Sequence, residues 1–233
     1  MNRPLLIVFM SLFAVPASAQ MQEVVVTAMR SEGYGEMPAV TISKPADFLV
    51  QQIRLINDSR APQLRSKELI ATIEGMIKRA ASEKNVALSY GGDGYLQPLN
   101  LTDESLEIIE DQKRSDTSSV DIYVKVTLAA GDDVKARIAS LRKFIERAQR
   151  AGRTEIESID DVGLSIVNPE KYRYDILSRI AEENVRLTRA MGEKCQVQVR
   201  GLEGRVKWER SEVAELTLYI PHTVEISNCV YQP

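Results

Sequence analysis

Past residue 19 the sequence has no long apolar run, and nothing in it approaches the roughly 20 consecutive apolar residues of a transmembrane helix. The one apolar run, Leu5 to Val15, follows Arg3 and precedes Ala17-Ser18-Ala19, the pattern of a secretory leader cut after Ala19. Positive charge is not in excess either. Arg3 is the only charged residue of the leader, so the formal net charge of −3 becomes −4 once it is removed, and a nucleic-acid partner is not indicated. Histidine occurs once, as His222, and cysteine twice, as Cys195 and Cys229. One histidine and two distant cysteines cannot make a zinc site of the usual type, so no metal or cofactor is expected. The cysteines lack the CxxC spacing of redox-active pairs, and an exported chain reaches an oxidising compartment, so they are expected to form one structural disulfide. Its loop, 34 residues in sequence separation, is worth about 3 to 4 kcal/mol by chain entropy.

What the sequence does have begins at the new N-terminus. Glu23-Val24-Val25-Val26-Thr27-Ala28 is a hexapeptide of high strand propensity without proline, followed by the glycine- and proline-bearing "SEGYGEMP" at 31 to 38. Residues 23 to 30 resemble the energy-coupling box of TonB-dependent outer-membrane receptors. The resemblance implies a portable strand that adds itself to the sheet edge of a TonB-like periplasmic protein. The receptor itself is excluded by length, because strands for a barrel of about 22, each near 10 residues, would consume roughly 220 residues, and the leaderless chain has 214 of the 233. The alternative is that the valines form a strand of their own domain, since an unpaired apolar tail is an aggregation hazard.

Residues 20–38 are accordingly read as a tail and 39–233 as one folded domain of ordinary globular composition, 44% hydrophobic and 27% charged. "VTISKPADFLVQQIRLI" (40 to 56) is extended, with Leu49, Gln51, Ile53 and Leu55 on one face and Pro45 marking an edge or a break. An amphipathic helix is predicted over Ser66 to Ala81, then the strand "NVALSY" and a "GGDG" turn that lacks a Walker lysine. Residues 102 to 119 form a charged loop without the alternating ligands of a calcium site. "SVDIYVKVTL" alternates cleanly, and a helix follows with Asp132 or Asp133 as its cap and Gly152 at its close. After a strand at 162 to 167, Asn168 and Pro169 open a third helix that runs to Gly192. Two strands finish the chain as a hairpin turning near Arg210 and Ser211, with residue 195 opposite about 226 and a bulge at Gly201 or Gly204 shifting it toward 229. The fold class is α+β, with three amphipathic helices packed on largely antiparallel sheet.

This order, the run "AGRTEIESIDDVGLSIVNPEKYRYDILSRIAEENV" (151 to 185) and the closing "LTLYIPHTVEI" resemble the SIMPL family of exported bacterial envelope proteins over roughly residues 40 to 227. The resemblance implies a periplasmic or outer-membrane-associated protein of a Gram-negative bacterium, sometimes assembling into large homo-oligomers, linked to envelope stress, and carrying no catalytic residues. The residues themselves agree about chemistry. His222 sits in a predicted strand beside Pro221, Asp160-Asp161 read as a solvated turn before a strand, and Trp208 alternates with Val206 as a packing residue. No enzyme is expected.

Overall fold

The ten-residue strand β3, Phe48–Asn57, puts Leu49, Ile53 and Leu55 on a face with no solvent exposure, as its period-two pattern requires. The computed structural model describes residues 23–26, 37–92, 95–101, 106–110, 116–191 and 195–229. The predicted leader, Thr27, Ala28, most of the tether, Asp93 and Gly94 of the turn, and Gly192 lie outside the described residues.

In chain order the strands are β1 (Glu23–Val26), β2 (Ile42–Pro45), β3, β4 (Val86–Tyr90), β5 (Tyr95–Pro98), β6 (Ile109–Glu110), β7 (Ser118–Thr127), β8 (Thr154–Val167), β9 (Gln196–Arg200), β10 (Lys207–Arg210), β11 (Glu215–Tyr219) and β12 (Thr223–Ser227). Helix α1, Pro62–Ser82, follows β3; α2, Val134–Glu146, precedes β8; and a 3-10 turn, Pro169–Tyr172, leads into α3, Arg173–Met191. The α+β class is therefore the observed one.

All pairings are antiparallel, and those of the main sheet return to their origin. β3 pairs β8, β8 pairs β1, β1 pairs β5, β5 pairs β4, β4 pairs β7, and β7 pairs β3, with the two-residue β6 added to β7. The circuit depends on β1, which supplies the only link between β8 and β5 among the described residues. One face of the sheet carries Leu49, Ile53, Ile122, Val124, Leu164 and Ile166, all at 0% exposure, against Leu69, Ile73 and Met76 of α1, Leu141 and Phe144 of α2, and Ile176 and Ile180 of α3. The other face encloses a smaller cluster of Val50 and Leu96 with Phe48 and Tyr123, and there the buried Lys125 holds its Nζ 4.5 Å above the Phe48 ring.

Several boundaries differ from expectation. α1 starts at Pro62, four residues early, because proline at the first helical position needs no hydrogen-bonded amide. α2 is capped by Asp133, whose carboxylate accepts from the amides of Lys135 and Ala136 at 2.9 and 3.3 Å, but it ends at Glu146. Gly152 instead makes the turn into β8 at φ +55°. β8 is not the six-residue strand of 162 to 167: it runs 14 residues and contains Asp160-Asp161 as an internal bulge, Asp160 at φ +58°. Gln51 lies opposite that bulge, and its Nε2 donates to the carbonyls of Ile159 and Asp160 at 2.7 and 3.1 Å, so a buried amide satisfies the backbone the bulge unpairs. Asn168 caps the 3-10 turn from a left-handed backbone (φ 49°) without a side-chain hydrogen bond.

The closing hairpin turns later than expected, with Arg210 opposite Leu216. It then splits between two small sheets, β10–β11–β2 and β9–β12. Between them residues 201–206 oppose only 220–222, a three-residue excess. Arg173 at the start of α3 donates to the carbonyls of Leu202 and Gly204, and the Glu170 carboxylate accepts from Val206 N at 2.9 Å, so this excursion is fastened to the third helix.

Candidate interaction surfaces

The N-terminal box is the first candidate. Glu23, Val24, Val25 and Val26 pair with Val167, Ile166, Ser165 and Leu164 of β8, and Glu23 and Val24 also pair with Leu96 and Tyr95 of β5. The segment is thus a strand this domain keeps, with neighbours on both edges. Its last two predicted residues, Thr27 and Ala28, lie outside the described residues.

The cysteines meet the expectation directly: Cys195 and Cys229 are bonded. They close the far end of the β9–β12 ribbon, Cys195 one residue before Gln196 and Cys229 two residues after its partner Ser227. Without the three-residue excess at 201–206 the hairpin register would carry residue 195 past 229. The bulge therefore brings the sulfurs together, although it shifts the register in the opposite sense from that predicted. A closed disulfide fits export to an oxidising compartment. No helix among the described residues is long and apolar enough to cross a membrane.

His222 and Trp208, the lone histidine and the lone tryptophan, both have local structural settings. His222 Nδ1 lies 2.7 Å from the Ile220 carbonyl, to which it donates within its own turn. Trp208 lies half-buried on β10, opposite Leu218 and packed against the main core. Among the described residues no group of three His, Cys, Asp or Glu side chains is placed to hold a metal ion.

Two polar networks have structural explanations. At one end of the sheet, Glu68 of α1 accepts from Asn57 Nδ2 at 2.8 Å, Ser59 Oγ at 2.7 Å and Arg153 N at 3.1 Å, and these donors, Asn57 foremost, hold its carboxyl below the usual carboxylate range. Beside it Arg153 grips Asp58 through two hydrogen bonds of 2.6 and 2.7 Å, which lowers the Asp58 pKa in the same way. Nearby, Arg65 is 1% exposed and donates to Ser118 Oγ at 2.8 Å and to the Ser59 carbonyl at 3.2 Å, tying α1 to β7.

A surface that the sequence reading passed over lies between β2 and α3. A cleft of about 610 Å³ has the chain from Ala39 to Lys44 as one wall and Asp175, Arg179, Glu182 and Arg186 of α3 in the other. β2 is the outer strand of its sheet. The signal for the helix wall was present in "YRYDILSRIAEENVR": acidic, basic, acidic and basic residues at steps of four, three and four, which is a helical stripe lying beside the apolar one.

No protein-family model matches the chain, and no curated protein matches it. Among solved structures, the crystal structure of an amidase of the hydantoinase/carbamoylase family from Burkholderia phymatum is similar over 62% of this chain and 37% of that one, at 10% identity and a TM-score of 0.28. The matched part is thus well under two thirds of that protein's length. A likeness this distant carries no argument about fold or activity here.

Proposed function

We propose that this is an exported, non-enzymatic envelope protein whose role is structural and self-assembling, with the N-terminal box serving its own fold. The observation that carries this reading is the double pairing of β1. A strand recognised by a TonB-like protein must offer free amides and carbonyls. Here β8 borders all four residues and β5 two of them, so a partner would first have to open the sheet circuit. The SIMPL resemblance points the same way, toward a periplasmic α+β protein without catalytic residues, and the disulfide is in keeping with that compartment. Engagement of TonB through residues 23 to 28 is the second reading, and it rests on the sequence resemblance alone.

The two readings diverge when residues 23 to 26 are deleted. A structural strand predicts a variant that is digested by protease far faster than the parent, and a parent that is not retained by an immobilised TonB C-terminal domain. Equal protease resistance, together with retention of the parent but not of the deletion variant, would overturn the structural reading in favour of the TonB one.

A further inference from the structure

We infer that the charged stripe of α3 is a homodimer contact, in which two copies of α3 lie antiparallel across a twofold axis passing between residues 180 and 181. This names the surface used by the self-assembly proposed above, and rests on that reading. Asp175, Arg179, Glu182 and Arg186 are all exposed. Their spacing of four, three and four keeps them on one side of a helix, as in the seam of a coiled coil. Ile176 and Ile180, which fix the helix to the core, point to another side, so the stripe stays exposed along the open cleft beside β2.

The order of charges is self-complementary. In an antiparallel pair centred between residues 180 and 181, Asp175 faces Arg186 of the second copy and Arg179 faces its Glu182, and symmetry repeats both contacts. A twofold interface requires this property, that a surface match itself. Within the chain the same charges are little used. The only ion pair on this stripe is the 3.8 Å contact of Arg186 with Glu183, and among the described residues Asp175, Arg179 and Glu182 have none. Paired within one helix, the stripe would have its explanation in i to i+4 bridges; unpaired, it offers four cross-helix ion pairs per dimer.

The neighbouring edge of β2 is a poorer template. β2 is four residues long and ends on Pro45, which has no amide to give. Ala46 N donates to the Ala214 carbonyl at 2.9 Å, so by the alternation of an antiparallel ladder Ser43 and Pro45 are the β2 residues that turn outward. Short strands and edge prolines discourage sheet extension. The helices, not the strands, therefore make the contact. Exposed ion pairs are weak and screened by salt, so the dimer is weak and salt-sensitive.

The test is sedimentation of the full chain, purified after export, with the wild type and three variants, each checked for native circular dichroism. In low salt the wild type is expected to dimerise, and less so in about 0.5 M salt, which shortens the screening length to a few ångströms. Arg179→Glu and Glu182→Arg each set like charges against one another twice per dimer, and each should weaken self-association by on the order of tenfold or more. An equimolar mixture of the two restores opposite charges at both contacts and should recover the dimer, as should the double variant R179E/E182R. Reversal of a charge off the stripe, Arg142→Glu on α2, should change nothing. Self-association that is indifferent to both single reversals, or a mixture that fails to recover it, overturns this contact while leaving self-assembly in place. A wild type that stays monomeric up to millimolar concentration overturns both.

Discussion

Gly152 shows how one residue can serve two elements. It turns the chain into β8 at φ +55°, and a Cβ added there would lie 2.0 Å from the carboxyl carbon of Glu68. Gly152→Ala should therefore cost about 2 kcal/mol or more from the left-handed backbone and the displaced carboxylate, measured as a lower denaturant midpoint. The same carboxylate gives the protein an acid limit. Glu68 and Asp58 titrate below their usual range when folded, so the stability they contribute is complete above the unfolded pKa of about 4 and is lost as pH falls through the folded values. Glu68→Gln, which cannot titrate, should flatten the acid limb of a plot of unfolding midpoint against pH. At the alkaline end, burial and the Glu209 carboxylate, which accepts from its hydroxyl at 2.8 Å, push the Tyr219 pKa up to about 12. Its raised value makes a contribution that is full below about pH 10 and disappears as pH rises toward 12. Tyr219→Phe should remove that alkaline loss, and phenolate absorbance should locate the transition in the parent.

At the scale of elements, β1 and the β9–β12 ribbon behave differently. Proline at Val24 would delete one amide from a strand bordered on both sides, leaving β8 and β5 partly unpaired. Val24→Pro should speed amide exchange in β5 and at the β8 end near Leu164 to Val167, while the β3–β7 ladder stays protected. The ribbon is two strands with exposed residues alternating along both, and a two-stranded element is marginal alone. Reducing Cys195–Cys229 removes a cross-link worth about 4 kcal/mol by chain entropy. The loss should appear first as exchange at Val197, Val199, Val224 and Ile226. The main melting transition should move less than that figure implies, because Val199 packs against the main core while Val197, Val224 and Ile226 are not among the residues that do.

For the whole molecule, the distribution of charge and pairing separates folding from assembly. The sheet closes on itself through β1, which covers the edge of β8 from Leu164 to Val167 and the edge of β5 at Tyr95 and Leu96. On the side of α3, Asp175, Arg179 and Glu182 have no ion pair among the described residues. Self-association should therefore be ionic in character and weaken with salt, and because the disulfide lies just past the C-terminal end of α3 rather than on its charged stripe, reduction should change it less than salt does. Sedimentation with and without reductant, at two salt concentrations, separates these contributions.

The amino-acid sequence by itself determined what depends on near neighbours. The α+β class follows from alternation in Ser118–Thr127 and Phe48–Asn57 and from stripes at helical spacing in the three helices. A cap at Asp132 or Asp133, of which the structure uses Asp133, and the partnership of the two cysteines were legible for the same reason, since local geometry and compartment chemistry decide them. Tertiary structure alone decided where strands find their partners. Nothing local distinguishes a valine-rich strand offered to another protein from one placed between β8 and β5, because its hydrogen-bond partners lie about 70 and 140 residues away in the chain. The bulge at Asp160 was hidden similarly, since Gln51, the side chain that satisfies it, lies 108 residues from Ile159. The charges of α3 were written in the sequence from the start. The apolar stripe with Ile176 and Ile180 was legible beside them and is buried as its spacing requires, but only the tertiary structure set the charged side along β2.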